Sequence, residues 1–150
     1  VNDWLTWGAF TYPVAFLVTD LANRRLGPAA ARRVVYLGFA LAVLCSIWLA
    51  TPRIAVASGT AFLIAQLLDV LVFDHLRQGR WWRAPLVSSV LGSVIDTALF
   101  FSLAFAFTGL PWISWAVGDL AVKLAVALAM LVPFRLMMGG SDALAARQPV

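Results

Sequence analysis

Ionisable and amide side chains lie in the middle of apolar stretches that are long enough to cross a bilayer. Asp96 lies about eleven residues, roughly 16 Å at helical rise, into its apolar run. Gln66 and Asp69 interrupt the preceding run, and Asp119 and Lys123 interrupt the following one. Such groups are costly at membrane depth, so they usually face a protein interior or a watery cavity and handle a polar solute, an ion or a proton. Transport is therefore the first hypothesis.

The spacing of these residues predicts that they share helix faces. Ser58, Gln66 and Asp69 fall on one face of the third apolar segment. Asp119 and Lys123 are four residues apart, so they can form an ion pair along one helix. Counted by helical rise, the groups in mid-segment reach roughly 16 to 18 Å, close to the midplane of an about 30 Å core. We expect polar groups from three helices to converge.

A convergent carboxylate and amide with flanking aromatic rings suit a planar heterocycle that offers N–H donors and carbonyl acceptors. Asp96 is the strongest candidate, because it has no partner in its own helix. Gln66, Asp119 and Lys123 each have a structural alternative. In that alternative Asp119 and Lys123 only neutralise each other, and Gln66 only forms hydrogen bonds between helices.

Four further polar residues have two interpretations each. Asp69 and Asp20 lie nearer the inner face, where water or the loop arginines are within reach. Arg53 is either an interfacial anchor or a residue that gates the ligand site. Tyr12 either lines a cavity or packs. An inorganic ion is not expected as the solute, because it needs more oxygen ligands in one shell than these residues supply.

The composition indicates which elements must hold these groups. The chain is 63% hydrophobic and only 12% charged, which a soluble domain of 150 residues cannot accommodate. Its solvent is therefore lipid, and we expect an all-α membrane protein, a polytopic helical bundle that forms one transmembrane domain over 1–150. Five apolar segments of near-spanning length are predicted: Trp7 to Ala22, Val34 to Ala50, Ile54 to Phe73, Leu86 to Phe107 and Trp112 to Leu136.

Arginines in the connections predict the topology. The first and third connections, 23–33 and 74–84, are rich in arginine, whereas the other two are nearly uncharged. By the positive-inside rule these connections and the C-terminal tail with Arg147 are cytoplasmic, which leaves Val1 outside. An external start is awkward for insertion, so we predict one more spanning helix before Val1, six in all. The alternative is a genuine five-helix protein.

Several other classes of function are excluded or disfavoured. The net charge of +4 does not indicate nucleic-acid binding, because the arginines lie in short connections and form no stripe. The lone Cys45 excludes a disulfide framework or a structural zinc site within one chain. An intramembrane enzyme would need a nucleophile and a base at matched depth, and no such pairing occurs. We expect no cofactor and no enzymatic activity.

Three stretches carry a family resemblance. They are TWGAFTYPVAFLVTDLANRRLG (Thr6 to Gly27), RIAVASGTAFLIAQLLDVLVFDHLRQ (Arg53 to Gln78) and WWRAPLVSSVLGSVIDTALFFSLAF (Trp81 to Phe105), followed by Asp119 with Lys123. Together they resemble the bacterial queuosine-precursor transporters, also called the vitamin uptake transporter family. The resemblance implies a six-helix inner-membrane importer of 7-deazaguanine precursors of the tRNA nucleoside queuosine, such as the 7-cyano and 7-aminomethyl compounds. The residues that fall on the family's polar motif are Arg53, Ser58, Gln66, Asp69, Asp96, Asp119 and Lys123.

The resemblance extends distantly to the substrate-binding subunits of energy-coupling-factor vitamin importers, although no coupling ATPase is expected. We predict that Asp96 or Asp69 accepts the amino-pyrimidinone edge of the solute and that Gln66 bridges to its carbonyl. An aromatic ring of Phe10, Tyr12 or Phe62 would stack on the bicycle. Rival interpretations are a binding subunit for another vitamin that needs a separate ATPase, and a structural membrane scaffold. Homo-oligomer formation, the identity of the deazaguanine and the choice between proton coupling and facilitated diffusion stay open.

Overall fold

A computed structural model describes residues 8–145 as a bundle of α-helices joined by short connections. The described helices, in chain order, are α1 (Gly8–Leu26), α2 (Pro28–Leu49), α3 (Pro52–Leu76), α4 (Arg83–Phe105) and α5 (Trp112–Ala145). The prediction of an all-α membrane bundle is therefore confirmed. Of the five helices in the described residues, four are long and apolar enough to span a membrane, so five spanning helices in this chain stay a prediction. The predicted start of the first segment at Trp7 and the tail residue Arg147 lie outside the described residues.

The first connection is far shorter than predicted. The expectation of a loop over 23–33 is wrong, because α1 continues to Leu26 and α2 begins at Pro28. Proline suits the first helical position, where its missing N–H would have no partner in any case. Gly27 makes the reversal with a φ of 86°, a conformation that glycine adopts without steric cost. The arginines of this region therefore lie within the ends of two helices.

The third connection is also shorter than expected, since α3 ends at Leu76 and α4 begins at Arg83. It lies at the same end of the bundle as the α1–α2 turn. Arg24 Nη1 donates to the carbonyl of Arg77 at 2.5 Å, and Arg25 Nη2 donates to the carbonyl of Met137, in the second half of α5, at 2.7 Å. These bonds join the arginine-bearing end of α1 to the end of α3 and to α5.

α1 is the helix that contacts all four others. Its buried face carries Pro13, Phe16, Asp20 and Asn23, spaced three or four residues apart, with Thr19 beside them. The opposite face is apolar and exposed, with Phe10, Val14 and Val18 each 43 to 50% accessible. The other four described helices are long and apolar enough to cross a membrane. α1 thus supplies polar side chains to the interior of the bundle.

α3 and α4 pack most extensively, and small side chains permit their approach. Ala57, Ala61 and Ala65 are fully buried at intervals of one helical turn along α3. Gly92 on α4 faces α1 as well. A Cβ placed at Gly92 would lie 2.8 Å from two ring carbons of Phe16 and 3.5 Å from the carbonyl oxygen of Ala65. This three-helix contact fixes the heights of the polar residues on α1, α3 and α4 relative to one another.

Candidate functional site

Lys123 lies at the centre of a buried group of charges between α4 and α5. Its Nζ is 2.5 Å from Asp119 Oδ2 and 2.7 Å from Asp96 Oδ2. It also donates to Thr97 Oγ1 at 3.2 Å, and that hydroxyl donates to Asp119 Oδ2 at 3.2 Å. We call Asp96, Thr97, Asp119 and Lys123 the ion-pair cluster. The predicted ion pair along one helix is confirmed, and Asp96 joins it from the neighbouring helix.

The ion-pair cluster is almost completely shielded from solvent, since the side chains of its three charged residues are each at most 3% exposed. One ammonium faces two carboxylates, so the ionised cluster carries a net charge of −1. Asp96 Oδ1 is buried and accepts no hydrogen bond from a described residue. A buried oxygen without a hydrogen-bond donor destabilises the folded protein, unless a bound molecule donates to it. This oxygen can therefore accept an N–H from a bound solute.

Tyr12 of α1 connects the ion-pair cluster to a cavity. Lys123 Nζ lies 5.1 Å from the centre of the Tyr12 ring, and that ring meets Phe62 edge to face with centroids 5.8 Å apart. Tyr12 and Phe62 both line a cavity of about 550 Å³ between α2 and α3, as does Ser58. Volumes of this order hold small organic ligands, with aromatic walls and a few polar groups. The Tyr12 ring thus borders both the cavity and the ion-pair cluster.

The remaining lining of the cavity is mainly apolar. It comes from α2, from the α2–α3 connection and from the first turns of α3: Phe39, Ala42, Val43, Ser46, Ala50, Pro52, Ala55, Val56, Gly59 and Thr60. The cavity therefore lies toward the end of the bundle opposite the arginines. Of the eight site residues proposed from sequence, Tyr12 and Ser58 line it directly. Asp96, Asp119 and Lys123 lie together on the other side of the Tyr12 ring.

Asp20 of α1 and Asp69 of α3 form a second polar group, which we call the carboxyl pair. Both side chains are at most 2% exposed, and their carboxyl groups face each other. Ser88 Oγ of α4 donates to Asp20 Oδ1 at 3.4 Å, and Ser89 also faces Asp20. The serines lie about eight residues before Asp96 on α4, or roughly 12 Å along the helix. Sequence spacing predicted one convergent group, and the structure places these polar residues in two.

An amide and a hydroxyl lie between the two groups. Thr19 Oγ1 donates to Gln66 Oε1 at 2.9 Å, which joins α1 to α3, while Gln66 Nε2 has no partner among the described groups. Asn23 Nδ2 donates to the carbonyl of Val70 at 3.0 Å. Sequence reasoning did not single out Thr19, Asn23 or Thr97. The heptad-like spacing of the buried face of α1 was the available signal for the first two.

Arg53 is placed apart from both groups. Its guanidinium is exposed and donates to the carbonyls of Leu103 at 3.1 Å and Ala106 at 2.7 Å. Carbonyls in the last turn of a helix lack intrahelical partners, and a cation there also complements the helix dipole. In this structure Arg53 caps α4, at the end of the bundle near which the cavity lies.

The sequence was compared with known families and proteins. A profile of the family described as "Putative vitamin uptake transporter" matches residues 6–51 and 46–138. The chain is 37% identical to "Queuosine precursor transporter" of Escherichia coli (strain K12), over 85% of this chain and 70% of that protein. It is 36% identical to "Probable queuosine precursor transporter" of Haemophilus influenzae, over 85% of this chain and 66% of that protein.

A more distant relative is "Probable queuosine precursor transporter" of Bacillus subtilis, 28% identical over 84% of this chain and 68% of that protein. About a third of each relative lies outside these alignments. No solved structure matches the chain. The likeness to binding subunits of energy-coupling-factor importers therefore stays a prediction.

Proposed function

The chain belongs to the vitamin uptake transporter family and is a multi-pass membrane transporter, and from that premise we propose that its solutes are queuosine precursors. The observation that carries the proposal is the similarity over 85% of the chain to relatives named for that solute class. The precursors in question are 7-deazaguanines such as the 7-cyano and 7-aminomethyl compounds. The solute moves unchanged, so we propose no catalytic step.

The geometry of the site supports this solute class. A deazaguanine is a flat bicycle, and the cavity beside Tyr12 and Phe62 offers aromatic surfaces on which such a bicycle can stack. Its amino-pyrimidinone edge carries adjacent N–H donors, which match the unpartnered oxygen of Asp96. We propose that the solute stacks in the cavity and that a movement of the Tyr12 ring admits its polar edge to Asp96.

Gln66 is the second residue that we propose to contact the solute. Its Nε2 donor is buried without a partner, and its Oε1 is held by Thr19. A carbonyl acceptor on the solute would satisfy that donor. Lys123 and Asp119 set the charge beside Asp96 and do not contact the solute.

We also propose the orientation. The end of the bundle where Arg24, Arg25 and Arg77 meet the neighbouring helices faces the cytoplasm, by the positive-inside rule. The cavity then opens in the outer half of a bacterial inner membrane, as an importer requires. Import by this chain needs no coupling ATPase. A further helix before Val1 stays a prediction.

The test measures queuosine in tRNA of cells that can neither synthesise the precursors nor import them with a transporter of their own. The natural full-length protein should restore queuosine when 7-cyano-7-deazaguanine or its 7-aminomethyl analogue is supplied. Asp96→Asn should lower uptake of labelled precursor about tenfold or more, because an amide places a donor where the solute also donates. The variant should still fold, since Lys123 keeps its ion pair with Asp119.

The matched control is Asp74→Asn, which removes one charge from a partly buried pair with Arg77 outside the site. Control and test variant are compared at equal amounts of protein in the membrane. Wild-type uptake and binding by Asp96→Asn would remove Asp96 from the mechanism. Failure of the natural protein to restore queuosine would refute the solute class.

A further inference from the structure

The carboxyl pair lacks the counter-charge that the ion-pair cluster has. Among residues 8–145, no lysine, arginine or histidine forms an ion pair with Asp20 or Asp69. Both side chains are at least 98% buried, and they come from different helices. Two ionised carboxylates at this depth would repel each other with no cation between them.

The elements around the pair are otherwise apolar or neutral. α4 contributes the hydroxyls of Ser88 and Ser89. α2 packs Ala31 and Val35 against Val70, the residue after Asp69. α5 presents only apolar side chains to the space beside Asp20: Ala127, Met130, Leu131 and Phe134. Two cations of α5 flank these residues. Lys123, one turn before Ala127, is held by Asp96 and Asp119, and Arg135, directly after Phe134, lies over the Trp81 ring at 4.9 Å.

The hydrogen-bond donors around the pair are too few for two carboxylates. Ser88 Oγ lies within 3.5 Å of both Asp20 Oδ1 and the carbonyl of Pro85, but a hydroxyl has one hydrogen to donate. Asp69 faces Asp20 and Ser88, yet neither of its oxygens accepts a hydrogen bond of ordinary geometry, although the side chain is fully buried. A proton on one carboxyl group would donate to the other and satisfy one oxygen of each. The pair therefore has the geometry of a site for one added proton.

A small cavity reaches the Asp20 side of the pair. It holds about 10 Å³, the space that one water molecule requires, and Asp20 and Ser89 provide its polar wall. A cavity of this size can pass a proton along a water molecule, but it is too small for the solute. The carboxyl pair is thus separate from the 550 Å³ cavity that borders Tyr12.

We propose that Asp20 and Asp69 form a proton-binding site that couples solute import to an inward proton gradient, an inference that rests on the proposed function. One proton enters from outside with the solute, is shared between the two carboxyl groups and leaves to the cytoplasm. No covalent bond of the solute changes. Asp69, predicted from sequence to bind the solute, is reassigned to the proton.

Helix α1 provides the mechanical connection between proton and solute. It carries Asp20 on the turn after Phe16 and Tyr12 two turns earlier. The shared proton draws α1 toward α3, whereas its loss leaves two negative charges that push the helices apart. Thr19, beside Asp20, holds Gln66 on α3 at 2.9 Å, so a shift between α1 and α3 also moves this amide. Binding or loss of the shared proton therefore changes the positions of Tyr12 and Gln66 at the solute site.

The first experiment uses the full-length protein in proteoliposomes, with labelled 7-cyano-7-deazaguanine, which is uncharged near neutral pH, and a pH gradient of one unit, acidic outside. Import of one proton with each solute molecule gives an accumulation of about tenfold, since one pH unit corresponds to a factor of ten. The membrane potential is clamped with potassium and valinomycin. A protonophore should abolish the accumulation, and a sodium gradient should not replace the pH gradient.

Asp69→Asn and Asp20→Asn should lose this accumulation while they keep exchange of labelled for unlabelled solute, which needs no net proton movement. Asp74→Asn on the same helix should keep both activities. Accumulation by Asp69→Asn equal to that of the natural protein would overturn the proposal. Loss of exchange together with accumulation would also overturn it, because Asp69 would then act in solute binding. Accumulation that follows sodium and ignores the pH gradient would overturn it as well.

A second measurement does not depend on transport of any solute. Infrared difference spectra of the purified protein should contain the carbonyl stretch of a protonated carboxyl group that is lost in Asp69→Asn and retained in Asp74→Asn. Its absence from the natural protein throughout the range around neutral pH would overturn the proton site. The purified protein could instead show this carboxyl band but neither bind nor exchange queuosine precursors. That result would refute the proposed solute and would still support the proton site.

Discussion

The ion-pair cluster and the carboxyl pair contain the same kind of group under similar burial, but they are stabilised differently. Asp96 and Asp119 share one ammonium, which lies 2.7 and 2.5 Å from their oxygens. Asp20 and Asp69 face each other with serine hydroxyls around them and no ion pair to a described residue. Charges inside a membrane protein must be paired or neutralised. The first group is neutralised mainly by the protein itself, whereas the second requires a proton.

Because of this difference, the ion-pair cluster responds to the solute and the carboxyl pair responds to pH. The ion-pair cluster holds its ammonium between two carboxylates and presents one unsatisfied oxygen, Asp96 Oδ1, for a neutral donor on a solute. The carboxyl pair changes its charge when a proton arrives or leaves. A transporter needs one site that recognises the solute and another that responds to the energy source. The two groups lie about two turns of α4 apart, so one helix can connect them.

The largest expected effect comes from removal of the ammonium. Lys123→Met leaves Asp96 and Asp119 buried together without a cation, and loss of one partner of a buried pair costs about 3 to 5 kcal/mol. We expect little monodisperse protein after extraction in detergent and a markedly lower melting temperature. Asp69→Asn is the comparison, and it should leave the melting temperature unchanged or raise it, because it removes a repulsive charge.

Equal melting of Lys123→Met and the natural protein would mean that the ion-pair cluster does not need its cation in the folded state. Equal damage by Asp69→Asn and Lys123→Met would mean that the carboxyl pair is structural. Either result would remove the distinction between the two groups.

An intermediate effect is expected at the contact that holds α1 against α4. Gly92→Ala places a methyl group 2.8 Å from the Phe16 ring, so the ring or the helix must shift, at a cost of about 1 to 3 kcal/mol. The shift loosens the contact between Ser88 and Asp20, whereas the α4–α5 ion pairs are unaffected. Thermal unfolding should show a lower melting temperature, and the infrared carboxyl band should change.

The control for this prediction is Gly38→Ala, whose added methyl group meets the Phe62 ring at an ordinary 3.5 Å. This substitution should change the melting temperature little, because the contact is unstrained and alanine has a higher helix propensity than glycine. An unchanged melting temperature in Gly92→Ala would show that α1 can move relative to α4 without penalty.

Local sequence patterns were enough to predict the helices and one ion pair. Apolar runs of near-spanning length predicted the five described helices, and the four-residue interval between Asp119 and Lys123 predicted their contact. Both depend on interactions within one helix. The sequence also identified Asp96 correctly as a buried, mid-helix charge, because depth follows from counting residues.

Pairing between helices could not be predicted, because it depends on the order of neighbours and the rotation of each helix. Asp96 and Lys123 are brought together by α4–α5 packing, and Asp20 meets Asp69 because α1 packs against α3. Spacing alone treated all the polar groups as one site. It also assigned Arg32 and Arg33 to a loop, although the helix extends through them with their side chains exposed.

The smallest expected effect comes from a hydroxyl within the ion-pair cluster. Thr97 Oγ1 bonds both Lys123 and Asp119 at 3.2 Å, which connects α4 to α5. Hydrogen bonds between membrane helices average about 0.6 kcal/mol and reach about 1.7 kcal/mol. Thr97→Val keeps the shape of the side chain and removes these bonds, so unfolding should become easier by an amount in this range.

Ser93→Ala is the matched control on the same helix, one turn before Thr97. Its hydroxyl is fully buried and has no hydrogen-bond partner among the described groups, so its removal should be neutral or slightly stabilising. Both variants are measured by thermal unfolding in the same detergent. A loss of stability in Ser93→Ala as large as that in Thr97→Val would indicate that the Ser93 hydroxyl forms a hydrogen bond in the membrane protein. The solute site would then extend along α4 toward the carboxyl pair.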